Sequence, residues 1–258
     1  MPHYLLVRET ASTNNHLKSL AATLPSGTVV YTHCQTAGRG QKGNTWEAEP
    51  GKNLTFSMLI KRPQVKVRGQ FAISEAVALA IAQVVGDTLN KERPELGSMV
   101  KVKWPNDIYV GDRKLCGILI ENSLDANGIA YSVIGIGLNV NQAAFVSDAP
   151  NPVSLCQLTG HEHDLDALLH TICERIEQLC GLLGDSAQRQ ALHEQYVQTL
   201  YRADGSTYTF ALPDGTKFAA TIVTVEPDGM LVLRHSTDGQ LSSYAFQEVK
   251  HVINDIKL

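Results

Sequence analysis

The sequence predicts an α/β protein of the α+β type in two parts, a sheet-and-helix domain followed by a small all-β tail. Three observations predict it. Residues 70–89 keep apolar side chains (Phe71, Ala76, Val77, Ala80, Ile81, Val84) at helical spacing, which marks a long buried helix. Residues 100–140 alternate strand-like runs with turn residues and read as an antiparallel meander. The last 50 or so residues carry three Asp-Gly turns, at 214–215, 228–229 and 238–239, between β-rich runs.

Composition bounds the function. A chain of 258 residues with 43% hydrophobic and 19% charged residues is an ordinary globular protein with room for one sizeable domain and a small one. Its net charge of −4 argues against a broad nucleic-acid or lipid surface, which needs a basic excess. No apolar run of the ~18 residues that would span a bilayer is apparent, and the N-terminus enters a strand-like pattern without a signal-peptide core, so a cytoplasmic protein is expected. Five cysteines (34, 116, 156, 173, 180) form no C-x-x-C pair and are expected to be reduced and buried. His161 and His163 sit in a polar loop beside Glu162 and Asp164 and read as a solvated turn; no metal site is assigned.

In chain order, residues 4–7 form a short strand and the next segment a capped helix start. Ser12 or Thr13 suits the N-cap, with Leu17, Leu20 and Ala21 as the apolar face. The same Ser12-Thr13-Asn14 groups also suit the polar head of a small ligand. A strand over 28–34 leads into Gln35-Thr-Ala-Gly-Arg-Gly-Gln-Lys-Gly-Asn-Thr-Trp46, which sets Gly38, Gly40 and Gly43 among Arg39 and Lys42. Its backbone N–H groups can approach a phosphate or adenylate closely. It also spells G-x-G-x-x-G, but Pro50-Gly51 and a strand over 54–60 follow where a dinucleotide fold requires a helix. A flexible surface turn is the alternative. Glycines carry a high ordering entropy, so the loop is expected to be mobile when empty and ordered by ligand.

In the meander, strands over 100–104, 108–110, 114–121 and 130–140 concentrate Lys103, Asp107, Arg113 and Lys114 at strand ends and turns, with Gly111-Asp112 as a hairpin turn. Strand edges often carry Lys against aggregation, so a surface reading stands beside a functional one. Gly117 in an apolar strand points to close approach by a ligand or another backbone. Asn139 suits a purine edge or a loop cap. Helices over 164–183 and 187–200 follow, and the polar joint 202–206 divides the chain into 1–202 and 203–258. The tail, with strands near 208–212, 217–225, 231–234, 241–246 and 249–253, reads as a five-strand barrel too small to be more than marginally stable alone, and is expected to dock on the first domain.

Taken in order, Ser12-Thr13-Asn14, Gln35 with Gly38-Arg-Gly-Gln-Lys-Gly43, Lys103-Trp-Pro-Asn-Asp107, Arg113-Lys-Leu-Cys-Gly117 and Gly135-Ile-Gly-Leu-Asn139 make the whole chain resemble a biotin protein ligase. The resemblance implies a mixed β-sheet with helices on one side and an SH3-like C-terminal β-barrel. It implies the monofunctional form, without DNA binding, acting as a monomer or weak homodimer. It implies ATP, biotin and Mg2+ as reactants and ion, and a biotin carboxyl carrier domain as acceptor.

It also implies roles. Ser12, Thr13, Asn14 and Gln35 hold the ureido ring of biotin, with Gly38, Arg39, Gly40, Gln41 and Gly117 also on the biotin side. Lys114 lies between the biotin carboxylate and the phosphate, and Arg39, Gln41, Lys42, Trp46, Asn106 and Asn139 serve ATP and the adenylate. Lys114, Arg39 and Asp107 are the expected catalytic set, with Asp107 orienting the acceptor amine. Relatives most often read Gly-Arg-Gly-Arg; here Gln41 replaces the fourth residue, which puts tight retention of the adenylate in question, with Lys42 as a partial substitute. The alternatives are a lipoate or octanoyl transferase of related fold, whose arginine and glycine-rich signature is absent, and a non-catalytic biotin or nucleotide sensor.

Overall fold

The computed structural model describes residues 2–40, 44–146 and 151–253. The first part begins with β1 (His3–Leu6), β2 (Glu9–Thr10), α1 (Thr13–Leu20), β3 (Thr28–Thr32) and β4 (Cys34–Gln35). Next come β5 (Leu54–Lys61), the long α2 (Phe71–Glu92) and the short α3 (Pro94–Gly97). The meander is β6 (Val100–Lys103), β7 (Asp107–Val110), β8 (Arg113–Asp125) and β9 (Gly128–Leu138), and α4 (Leu155–Thr159), α5 (Leu165–Gly181) and α6 (Ser186–Thr199) complete the part. Seven strands form one sheet in the order β1-β3-β5-β9-β8-β7-β6. Only β1 and β3 run parallel in it, so the sheet is mixed, as expected.

Strand residues alternate faces, and here the alternation separates packing from chemistry. Val29, Phe56, Met58, Ile118, Ile134 and Ile136 point into the main core beneath α2, α5 and α6. Val30, Leu59 and Val133 point the other way and pack with Leu17 of α1 and Ala21 at its C-cap as a second cluster. The expectation of helices on one side is therefore corrected: α1 covers part of the opposite face. It does so because its Leu17/Ala21 stripe needs an apolar partner, and the end of the sheet near β3 supplies one. The rest of that face carries Thr55, Gly117, Gly135 and Gly137, which line the pocket described below, and the fully buried Ser57.

By length and composition α2, taken with the turn before it (residues 67–92), holds an 18-residue window of mean hydropathy 1.4 and could cross a membrane. Its 18-residue apolar window is 72% buried against the sheet and neighbouring helices, which accounts for its apolarity as a core helix. Cys116, Cys173 and Cys180 are buried as expected, whereas Cys34 and Cys156 are partly exposed; all five are free thiols.

The tail holds β10 (Tyr208–Ala211), β11 (Lys217–Val225), β12 (Leu231–His235), β13 (Leu241–Tyr244) and β14 (Lys250–His251), in the antiparallel order β13-β12-β11-β10-β14. In each Asp-Gly turn the aspartate accepts a hydrogen bond from the backbone two residues on, at Thr216, Met230 and Gln240. The barrel expectation is corrected to an open sheet. Closure requires edge strands to pair, and among the described residues β14 is two residues long and bonds only β10. The sheet docks on the first part: Phe210, Val225 and Leu231 join the main core, and Trp104 Nε1 donates to the Gly229 carbonyl at 3.0 Å.

Candidate functional site

The pocket opens over the glycine-bearing face of the sheet. At one end, Ser12 caps α1 by accepting from Asn15 N at 3.4 Å, so the cap reading holds. Ser12, Thr13 and Asn14 also line the pocket. Gln35 Oε1 accepts from Thr13 N at 2.9 Å. Ser57 Oγ, buried on β5, lies 2.8 Å from Thr13 Oγ1 and 2.5 Å from Asn14 Oδ1. Asn14 Nδ2 donates to the Leu119 carbonyl at 3.2 Å and to Glu121 Oε2 at 3.0 Å. Ser12, Thr13, Asn14, Gln35 and Ser57 thus form an uncharged hydrogen-bonding cluster, anchored through Asn14 to the Glu121 carboxylate on β8.

Gly135 is paired with Ser57 across β9 and β5, and a Cβ there would collide with the Asn14 side chain. Gly117 and Gly137, paired across β8 and β9, lie directly under the Trp46 indole, and a Cβ on either would strike that ring. The glycines are thus a floor thinned to backbone so that Asn14 and Trp46 can lie against the sheet. Trp46 is positioned by the glycine loop closing on itself, with Trp46 N donating to Gly38 O at 3.0 Å and Gly40 N to Asn44 O at 2.7 Å. Its Nε1 is buried and has no hydrogen-bond partner among the described residues. Gln41 and Lys42, expected on the ATP side, and Gly43 lie outside the described residues.

The charged end depends on an irregularity in β8. Tyr109 pairs with Lys114, yet Ile108 pairs with Cys116, so Leu115 is an extra residue, a β-bulge. In a regular strand Lys114 would share the core-facing side with Cys116 and Ile118. A one-residue offset flips the side, and Lys114 instead lines the pocket with Gly117. There its Nζ lies 2.7 Å from Asp107 Oδ2 and 5.8 Å from the Trp46 ring centre. Lys103, opposite Asp107 on β6, also lines the pocket; burial pushes its pKa down, partly countered by Asp107. Arg39 reaches in from the loop, its Nη2 donating to Asn15 Oδ1 at 2.7 Å and to Glu121 Oε2 at 3.0 Å. Burial acts to raise the pKa of Glu121, but the Asn14 hydrogen bond and the Arg39 and Lys18 charges outweigh it, leaving the carboxyl below the usual glutamate range.

Of the residues expected from sequence, Ser12, Thr13, Asn14, Gln35, Arg39, Gly40, Trp46, Asn106, Asp107, Lys114 and Gly117 meet in this one pocket. Gly38 sits just behind it, packed on the Trp46 backbone and the Gln35 side chain. The buried Asn106 gives its amide to the Ile118 carbonyl at 2.6 Å, which ties the β6–β7 turn to β8. Asn139 does not line the pocket: it is buried and donates to the Val153 carbonyl at 3.0 Å, the loop-cap alternative. Sequence reasoning missed Ser57, Thr55 and Glu121. The alternation of polar Thr55 and Ser57 with apolar neighbours in β5, and of Gly135 and Gly137 in β9, was the available signal for one special face.

Comparison with known proteins gives a consistent picture. Residues 6–139 match the model of the biotin/lipoate A/B protein ligase family. The bifunctional ligase/repressor BirA of Escherichia coli (strain K12) is 37% identical over 130 residues, 50% of this chain and 38% of that protein. The chain thus matches about two fifths of the length of that relative. The biotin--[acetyl-CoA-carboxylase] ligase of Paracoccus denitrificans is 32% identical over 168 residues, 64% of this chain and 67% of that one. Among solved structures, the biotin protein ligase from Aquifex aeolicus in complex with biotin and ATP superposes with a TM-score of 0.78 at 20% identity, over 98% of this chain and all (100%) of that one, a likeness of fold.

Proposed function

The chain belongs to the biotin/lipoate A/B protein ligase family, and from that premise we propose that it is an ATP-dependent biotin protein ligase. It converts biotin to biotinyl-5′-AMP and passes the biotinyl group to a lysine of a biotin carboxyl carrier domain. One observation carries the reading: a neutral hydrogen-bonding cluster and three cations, Arg39, Lys103 and Lys114, face the same pocket. An uncharged ureido ring, with N–H donors and a carbonyl acceptor, matches the Ser12, Thr13, Asn14, Gln35 and Ser57 end. A carboxylate and phosphates match the cationic end.

In the first step a biotin carboxylate oxygen bonds to the α-phosphorus of ATP while the bond to the bridging oxygen breaks, and pyrophosphate leaves with that electron pair. Two anions must meet, so preorganised positive groups dominate the barrier. Lys114 stands where it can contact both, with Asp107 holding its ammonium toward the pocket in the resting state. Asp107 is the one carboxylate among the described lining residues and is already paired, so the donor set fits a Mg2+ carried in on triphosphate oxygens rather than an all-protein cage. There Mg2+ would supply charge neutralisation of the departing pyrophosphate.

In the second step the acceptor amine attacks the acyl carbon and AMP leaves. A lysine with pKa ~10.4 needs about 4.6 kcal/mol to be neutral at pH ~7. Asp107 supplies help by orienting the amine and accepting its proton. Trp46, lying on the bare backbone of β8 and β9, walls the mixed anhydride from water.

The test is to incubate the protein with biotin, ATP, Mg2+ and a carrier domain and probe the carrier with streptavidin, with lipoate as a parallel arm. Labelling that requires ATP and biotin supports the reading. Modification by lipoate alone would make it a lipoate ligase, and binding without transfer a sensor.

A further inference from the structure

Away from the pocket, the C-terminal end of α2 meets the loop between α4 and α5. Here Glu92, His161 and His163 each bring one ligand-capable atom, a carboxylate oxygen or a ring nitrogen, to within 4.8 Å of the other two. We propose that these three side chains form a binding site for a divalent transition ion of the Zn2+ class. None of them lines the ligand pocket.

Neighbouring groups fix both rings. His161 Nδ1 lies 2.9 Å from the Glu162 carbonyl, which only accepts, so Nδ1 carries a hydrogen. That makes Nε2, 2.6 Å from Glu92 Oε2, the ligand atom. His163 Nε2 lies 2.8 Å from Thr159 Oγ1, whose own proton goes to the Leu155 carbonyl at 3.0 Å. The threonine oxygen therefore accepts from Nε2–H, and Nδ1 keeps its lone pair. Ligating histidines are held in this manner, through a hydrogen bond from the second ring nitrogen.

The backbone is also in place. Asn141 clamps His163 from both sides, its Oδ1 accepting from His163 N at 2.8 Å and its Nδ2 donating to His163 O at 2.9 Å. Arg93 Nη1 donates to Leu158 O at 3.3 Å, fastening the end of α2 to α4. Tetrahedral Zn2+ with bonds of about 2.0–2.1 Å needs ligand atoms roughly 3.3 Å apart. A bound ion would therefore draw His161 and Glu92 slightly apart from 2.6 Å and bring the His163 nitrogen in from within 4.8 Å. Two imidazoles and a carboxylate leave a fourth position for water, and nitrogen donors select against Mg2+ and Ca2+.

The experiment uses the full chain, freed of metal by a chelator and titrated with Zn2+ against a chromophoric competitor. Wild type is compared with the His161→Ala/His163→Ala double variant, whose melting in metal-free buffer confirms that it is folded. The expected result is that wild type takes up one equivalent more than the variant, and that Zn2+, but not Mg2+, raises the melting temperature of wild type alone. Equal Zn2+ uptake by the two proteins, including none by either, overturns the proposal.

Discussion

Glu121 on β8 holds the guanidinium of Arg39 in the glycine loop, with Nη2 donating to Oε2 at 3.0 Å. The same carboxylate accepts from Asn14 at 3.0 Å and lies 3.5 Å from Lys18 Nζ, so one side chain ties the loop, the strand and the start of α1 together. Under the proposed function Arg39 contacts a phosphate, and to do so it must share or leave this anion. Glu121 is therefore a positioning residue for Arg39.

Glu121→Gln should leave the fold intact, costing under about 1 kcal/mol because the Arg39 pair is partly exposed to solvent. It should shift the KM for ATP several-fold more than kcat, read by pyrophosphate release. The folded carboxyl titrates below the unfolded one, so the stability it adds is present above pH ~4.3 and lost as pH falls through the lower folded value. Urea melts should thus show a wild-type advantage at neutral pH that disappears at strongly acid pH.

Lys114→Met should reduce adenylate formation by about 10²- to 10³-fold, the usual cost of removing one preorganised contact to developing charge. Asp107→Asn should depress transfer from preformed biotinyl-adenylate more than it depresses adenylate formation. Single-turnover measurement of each step checks both. Transfer by Asp107→Asn at the wild-type rate would remove Asp107 from the second step.

Gly135→Ala places a methyl group against Asn14. Overpacking of this kind costs about 1–3 kcal/mol, and the displaced amide belongs to the neutral cluster assigned to biotin. Thermal melting should show the loss, and calorimetry should show biotin affinity falling more steeply than ATP affinity.

Phe246 of the tail meets the Trp104 ring at 6.0 Å, edge to face, and lines the pocket beside Lys103. Such a pair contributes about 0.5–1.5 kcal/mol beyond area burial. Phe246→Ala should therefore lower stability by about that amount in thermal melts, and calorimetry should show ATP binding weakened more than biotin binding measured without nucleotide.

By itself the sequence determined what is local. Helical spacing in residues 70–89, the Ser12 cap, the hairpin turn at Gly111-Asp112 and the three Asp-Gly turns each follow from near neighbours along the chain; the turns and the cap formed where expected, and the helix runs three residues further, to Glu92. The motif residues Asn14, Gln35, Arg39, Trp46 and Lys114 were legible as residue types suited to an acid and a phosphate. Tertiary structure decided which of them meet. Strand order laid Ser57, Gly135 and Leu119 side by side from three distant stretches, and this brought Glu121, one step further along β8, against Asn14 and Arg39. Asn139 was turned by the same assembly to a loop carbonyl. The bulge at Leu115 is the sharpest case. A strand has two sides, an inserted residue exchanges them, and no pattern in Arg113-Lys-Leu-Cys-Gly117 announces the insertion, so only pairing with β7 put the Lys114 ammonium in the pocket instead of the core.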